Sequence, residues 1–151
     1  MRLMWVDDDC YGLLHPLGRM LERKGFSVKK ATNLADALRQ IREAHGAPNT
    51  RFRALLVDIL LPKAQGGASL ASDLGINLAE ESISFGVKSV AFLTVVRQDE
   101  IIDKYADLVK NYPGVGFSYF DKTTLLTRGE IEELTERLRA GYNGIGAEDD
   151  L

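Results

Sequence analysis

A chain of 151 residues with 45% hydrophobic content can bury one ordinary globular core and is too short to promise two. Its 19 basic and 22 acidic residues leave a net charge of -3, which gives no footprint for gripping a nucleic-acid backbone. The single cysteine, Cys10, excludes an internal disulfide, and two scattered histidines, His15 and His45, give no zinc spacing.

The longest apolar run, "ALLVDILL", is far short of a membrane span and carries a carboxylate, and no signal-peptide pattern heads the chain. A cytoplasmic, reducing setting with no membrane association is expected.

In chain order, short runs rich in Val, Leu, Ile and Phe alternate with stretches of helical apolar spacing, giving five βα units. "RLMWV" leads into "YGLLHPLGRMLERKG", where Leu13, Leu14, Leu17 and Leu21 form a stripe, Pro16 is expected to kink the helix, and Gly25 supplies a stop. "FSVKKAT" is followed by "NLADALRQIREAH", with Asn33 as N-cap and Leu34, Ala37, Leu38 and Ile41 on one face. "RALLVDILL" is apolar on both faces, as a central parallel strand covered by helices on both sides must be. A glycine-rich loop over residues 63–75, with Gly66, Gly67 and Gly75, precedes a third helix. "VKSVAFLT" precedes "RQDEIIDKYADLVKNY", and "VGFSYF" precedes a last helix near "RGEIEELTERLRAGY". Alternation with right-handed crossovers implies a doubly wound α/β fold with a parallel sheet. The expected domain spans residues 1–140, with a flexible acidic, glycine-containing tail or linker stub over 141–151.

Three adjacent aspartates, Asp7, Asp8 and Asp9, stand where the first strand ends, and Asp58 stands at the end of the apolar third strand. Such carboxylates repel unless they are solvated or a cation offsets them. Thr94 ends the fourth strand and Lys122 the fifth. A doubly wound sheet brings its strand carboxyl ends to one crevice, where ligands bind. Asp8 and Asp58, with Asp7 helping directly or through water and with a backbone carbonyl, offer Mg²⁺ the oxygen ligands it prefers. Asp58 can then act as nucleophile toward a phosphoryl group, with Lys122 and Thr94 holding phosphoryl oxygens. Asp9, one turn residue on, is expected to cap the first helix.

The ordered set "VDDD", "LLVDILLP", "AFLT" and "YFDK" resembles the receiver domain of two-component response regulators, over essentially the whole chain. The resemblance implies a single-domain, flavodoxin-like and CheY-like five-stranded sheet in the order 2-1-3-4-5. It implies Asp58 as the phosphoacceptor, served by a histidine kinase or histidine phosphotransfer protein, in a signalling domain rather than an enzyme. Asp7, Asp8, Asp58 and the carbonyl of Leu60 would hold Mg²⁺, with Thr94 and Lys122 assisting and Gly66 as the family's glycine. Thr94 and Tyr119 would form the switch, which alters the face of the fourth helix, fifth strand and fifth helix. That face would serve a downstream output protein, a fused effector domain or a homodimer.

Thr123 departs from the family's proline after the lysine, whose preceding peptide is often cis; Lys122–Thr123 is expected to be trans or strained. Val95 replaces a very small residue, and Leu60 and Val96 offer no polar group to an attacking water, so slow hydrolysis of the acyl phosphate is expected. The spacings from Asp58 to Thr94 and from Thr94 to Lys122 are several residues longer than usual in the family.

Two other readings stay open. Asp7 and Asp9 satisfy the D-x-D pattern of haloacid-dehalogenase-type phosphatases, with Asp7 as nucleophile, although that leaves Asp58 unexplained. Alternatively, the chain is a receiver-like interaction domain that no longer needs phosphate. Ile101, Ile102, Tyr105 and Leu108 of the fourth helix could serve core or dimer. Cys10 reads as a small, partly buried residue, His15 falls within the first helix, and His45 falls near the C-terminus of the second, where its charge suits the helix dipole.

Overall fold

A computed structural model describes residues 1–8, 12, 15–59, 61–62, 70–71, 74–94, 98–125 and 129–149; for 61–62, 70–71, 94, 98–102 and 141–149 it describes the backbone alone. The elements in chain order are β1 (Arg2–Val6), α1 (His15–Arg23), β2 (Ser27–Ala31), α2 (Leu34–Ala44), β3 (Ala54–Asp58), β4 (Leu61–Pro62), β5 (Leu70–Ala71), α3 (Leu74–Ser84), β6 (Ser89–Thr94), α4 (Gln98–Asn111), β7 (Gly116–Asp121) and α5 (Glu130–Asp149). The main sheet has five parallel strands in the order β2-β1-β3-β6-β7, the doubly wound topology expected from the sequence.

The inner strands β1, β3 and β6 are buried because helices cover both faces of the sheet, while the edge strands β2 and β7 stay partly exposed. Met4, Val6, Leu55, Val57 and Phe92 pack with Ala37 and Ile41 of α2, Ile76 and Ala79 of α3 and Leu108 of α4. On the opposite face, Leu3, Trp5, Leu56, Leu93 and Phe120 pack with Leu17 and Leu21 of α1 and Leu134 and Leu138 of α5. Every residue of β3 is buried, the apolar run Ala54–Val57 and the Asp58 that ends it alike. Leu108 is buried and Tyr105 partly so, both facing this core.

Local signals act where the sequence puts them. Asn33 is extended and its side chain accepts the Asp36 N–H at 2.9 Å, satisfying one of the unpaired donors at the start of α2. Gly25 follows α1 at φ +101°, where a Cβ would be strained, and the Phe26 N–H turns back to the Leu21 carbonyl.

The structure corrects three expectations. Pro16 does not kink α1, because the helix starts at His15 and Pro16 sits in the first turn, where its missing N–H has no acceptor to lose. The connection after β3 contains a short antiparallel pair, β4 with β5, rather than loop alone. Finally, the helical backbone of α5 continues to Asp149, through the segment read as a tail. Its glycines weaken a helix by about 1 kcal/mol each without forbidding it, and no proline interrupts the run.

His15 opens α1 with Nδ1 2.8 Å from Lys30 Nζ, and His45 caps α2 with Nδ1 3.1 Å from the Phe85 carbonyl. Asp9, Cys10, Leu13, Leu14, Gly66 and Gly67 lie outside the described residues. Among those described, no helix is long and apolar enough to cross a membrane.

Replacing Asn33 with alanine is expected to cost about 1 kcal/mol by loss of the cap. Urea unfolding followed by far-ultraviolet circular dichroism measures it, and an unchanged midpoint would contradict the assignment.

Candidate functional site

The strand ladders carry the site residues to one edge. The Asp7 N–H extends the pairing of β1 with β2 by donating to the Ala31 carbonyl at 3.0 Å, and Asp58 is the last residue of β3, in register with Leu93. Thr94 ends β6 in register with Asp121 of β7, and Lys122 follows at once. Successive side chains at a strand end point to opposite sides. Accordingly Asp7 is fully buried whereas Asp8 is exposed.

Lys122 joins these ends. Its ammonium donates to Asp7 Oδ1 at 2.8 Å and to Asp58 Oδ2 at 2.7 Å, with a side-chain exposure of 16%. Asp58 is 5% exposed. Burial by itself would lower the Lys122 pKa, but hydrogen bonds and attraction from Asp58 and Asp7 outweigh it and hold the amine well above its ordinary value. The lysine is therefore fully charged at neutral pH.

Carboxylate oxygens of Asp7, Asp8 and Asp58 lie within 4.8 Å of one another. Against one ammonium, the three carboxylates leave these four side chains with two net negative charges. Oxygen donors so close together, with that charge, fit a hard divalent cation such as Mg²⁺ and do not resemble the nitrogen and sulfur sets that hold zinc. Asp7, Asp8 and Asp58 would be its protein ligands; Leu60, whose carbonyl was expected to join them, lies outside the described residues, as do Val95 and Val96. Thr94 is placed at the site edge through its backbone.

Tyr119 is partly buried, its ring edge-on to Tyr105 with centroids 6.0 Å apart. Tyr105 in turn meets Phe92 and Phe117 edge-on, and burial pushes its hydroxyl pKa upward. The aromatic residue singled out on the last strand thus belongs to a packed cluster beneath α4.

Two contributors were not recognised from sequence. A Cβ on Gly75 would stand 2.4 Å from the Asp58 carbonyl oxygen and 2.7 Å from Ile59 Cα, so α3 can lie against this backbone because position 75 is glycine. The Gly75 N–H also donates to the Ile59 carbonyl at 3.2 Å. The glycine that meets the Asp58 strand end is therefore Gly75, where the periodic run "LGINLAEESIS" begins. The second is Asp121, whose Oδ1 accepts the Thr123 N–H at 2.8 Å and the Thr123 hydroxyl at 2.7 Å. No described peptide bond is cis, so Lys122–Thr123 is trans, and its N–H is used in a bond that proline could not make. The spacing D-x-T was the available signal, since Asp readily bonds the backbone two residues on.

The five-stranded parallel sheet in the order β2-β1-β3-β6-β7, flanked by helices, is the fold of receiver domains. Many solved receiver domains match the chain over most of its length. One, a CheY-like response regulator receiver domain protein from Methanospirillum hungatei JF-1, matches with TM-score 0.66 and 21% identity over 97% of each chain. Another, the N-terminal domain of a response regulator/sensory box/GGDEF three-domain protein from Carboxydothermus hydrogenoformans, matches with TM-score 0.67 and 17% identity over 98% of each. A Burkholderia pseudomallei response regulator protein, solved with a phosphorylated aspartic acid, calcium ion and citrate, matches with TM-score 0.60 and 21% identity over 98% of this chain and 72% of that one. No family model and no curated protein matches the sequence.

Replacing Lys122 with methionine is expected to destabilise the fold by about 3 kcal/mol at pH 7, because two buried carboxylates lose their shared cation. Since folding raises the lysine pKa, its contribution is complete below about pH 10.5, the ordinary value, and fades as pH rises toward the folded-state value. Urea unfolding from pH 7 to above 11 should show wild type losing its advantage over the variant at the alkaline end. A constant gap would contradict the assignment.

Proposed function

We propose that this chain is a phosphoacceptor receiver domain in which Asp58 takes a phosphoryl group from the phosphohistidine of a histidine kinase or phosphotransfer protein. The observation that carries the reading is the Lys122 ammonium bridging Asp58 and Asp7 beside Asp8, at the carboxyl edge of a doubly wound sheet. An Asp58 oxygen would attack phosphorus while the phosphorus–nitrogen bond to the donor imidazole breaks and the electron pair leaves with the ring. When bound among Asp7, Asp8 and Asp58, Mg²⁺ would supply charge that lowers repulsion between carboxylate and phosphoryl oxygens.

The chain's own groups do the rest. Lys122 can follow the growing negative charge from the Asp58 carboxylate onto the phosphoryl oxygens without leaving its place, since Nζ is already 2.7 Å from Asp58 Oδ2. Backbone contact at Gly75 keeps the Asp58 strand end in place while its side chain reacts. The Thr94 hydroxyl would hold a further phosphoryl oxygen, and inward movement there would bias Tyr119 and its aromatic neighbours between two packings, changing the face formed by α4, β7 and α5. Leu60 and Val96 carry no polar group for an attacking water, so the acyl phosphate would be long-lived. In this reading the domain is a signalling element that works on a partner or fused effector, not a turnover enzyme.

A phosphatase using Asp7 as nucleophile fits less well, because Asp7 is fully buried while Asp58 keeps some exposure and the same lysine contact. The phosphate-independent reading makes a different prediction. With acetyl phosphate and Mg²⁺, the wild-type chain should gain one phosphoryl group, located at Asp58 by mass spectrometry, and Asp58→Asn should gain none. Incorporation that survives Asp58→Asn and is lost in Asp7→Asn would favour the phosphatase; no incorporation with acetyl phosphate or a phosphohistidine donor would favour the interaction domain.

A further inference from the structure

Lys122 occupies the first position beyond a strand end. Asp121 is the last residue of β7 in register with β6, and the chain then leaves the sheet. A lysine side chain is a flexible four-carbon stem with a point charge at its tip, so two simultaneous bonds, at 2.8 and 2.7 Å, demand that its backbone be fixed.

What fixes it converges on Asp121. Besides the two bonds from Thr123 to Oδ1, the Asp121 carbonyl accepts the Thr124 N–H at 3.3 Å and the Thr124 hydroxyl at 3.4 Å. On the far side of the turn Leu125 is fully buried in the same cluster as Leu134 and Leu138. The turn is thus held by the sheet and Asp121 at one end and by the core at the other.

Asp121 is not part of the charged set around the ammonium. Its side chain is exposed, it stands outside the Asp7–Asp8–Asp58 group, and its carboxylate, held below the usual range by the Thr123 hydroxyl and N–H, is engaged within the turn. Whatever it contributes to the site passes through backbone position rather than charge.

We propose that Asp121 is a positioning residue: by clamping Thr123 it fixes the backbone of Lys122 and aims the ammonium between Asp7 and Asp58. Its effect on phosphorylation rests on the phosphoacceptor reading; its effect on Lys122 does not. Misplacing a reacting or charge-stabilising group by about 1 Å can cost up to about 100-fold in rate, so a partial release of the turn should cost about tenfold.

The test uses the full chain with Asp121→Ala, Asp121→Asn, Thr123→Val and Thr123→Ser. The first readout, taken without phosphate, is the NMR signal of the Lys122 side chain, assigned by its disappearance in Lys122→Arg. The second is the rate of Asp58 phosphorylation by acetyl phosphate with Mg²⁺. Asp121→Ala should move the Lys122 signal toward that of a solvent-exposed lysine and slow phosphorylation about tenfold. Asp121→Asn, which keeps an acceptor oxygen, and Thr123→Ser, which keeps the hydroxyl, should stay within about threefold of wild type. If Asp121→Ala does not fold, Thr123→Val, which removes the hydroxyl bond alone, should move the same signal in the same direction, by less.

An unmoved Lys122 signal in the folded variant, or equal defects in Asp121→Ala and Asp121→Asn, would overturn the proposal. Should wild type accept no phosphate while the signal still moves in Asp121→Ala, the clamp stands and the phosphoacceptor reading falls. Should wild type and Asp121→Ala phosphorylate alike, the clamp falls and the phosphoacceptor reading stands.

Discussion

The Lys122 ammonium lies 2.8 Å from Asp7 and 2.7 Å from Asp58, and these three residues come from the ends of three different strands. In the sheet order, β1 and β3 are neighbours, while β7 is separated from β3 by β6. At about 4.8 Å per strand, β7 lies roughly 10 Å from β3 and 14 Å from β1. The lysine must therefore lean across β6 to reach both carboxylates, which a long side chain can do and a short one cannot. Two carboxylates buried this deeply would repel at close range without that cation, so the lysine stabilises the edge.

The remainder of the fold supplies rigidity to that edge. The two apolar layers, α2, α3 and α4 on one face and α1 and α5 on the other, hold the strands in fixed register, and register decides which residues end together. Gly75 lets α3 approach the backbone at Asp58 and Ile59, fixing the height of the central carboxylate. Asp121 does the corresponding work for the lysine. Both act on backbone rather than on the carboxylate and ammonium groups that meet at the edge.

Much of this was legible in the sequence, for identifiable reasons. The alternation of short apolar runs with 3.6-residue periodicity pointed to the parallel sheet, and the run around Asp58 was apolar on both faces because its strand lies at the sheet's centre. Asn33 was recognisable as a cap because the signal is local. Less legible were features set by contacts between distant residues or by weak propensities. Strands of two residues leave no period to detect, which hid the β4–β5 pair. Gly75 looked like one of several loop glycines because its partner, the Asp58 backbone, belongs to another element. Thr123 was read as a missing proline, although the Asp121 clamp gives the turn a different, trans-peptide solution. The helical course of α5 through 141–149 was obscured by its glycines.

The central claim is that three clustered carboxylates, set against a single ammonium, make the sheet edge a place for a divalent cation and a phosphoryl group. Calorimetric titration with Mg²⁺ tests it most directly, in wild type and in Asp8→Asn, whose exposed side chain can be changed without disturbing the core. One ion bound per chain in wild type, with markedly weaker binding in Asp8→Asn, is the predicted result. No binding, or binding that the substitution leaves unchanged, would contradict the account.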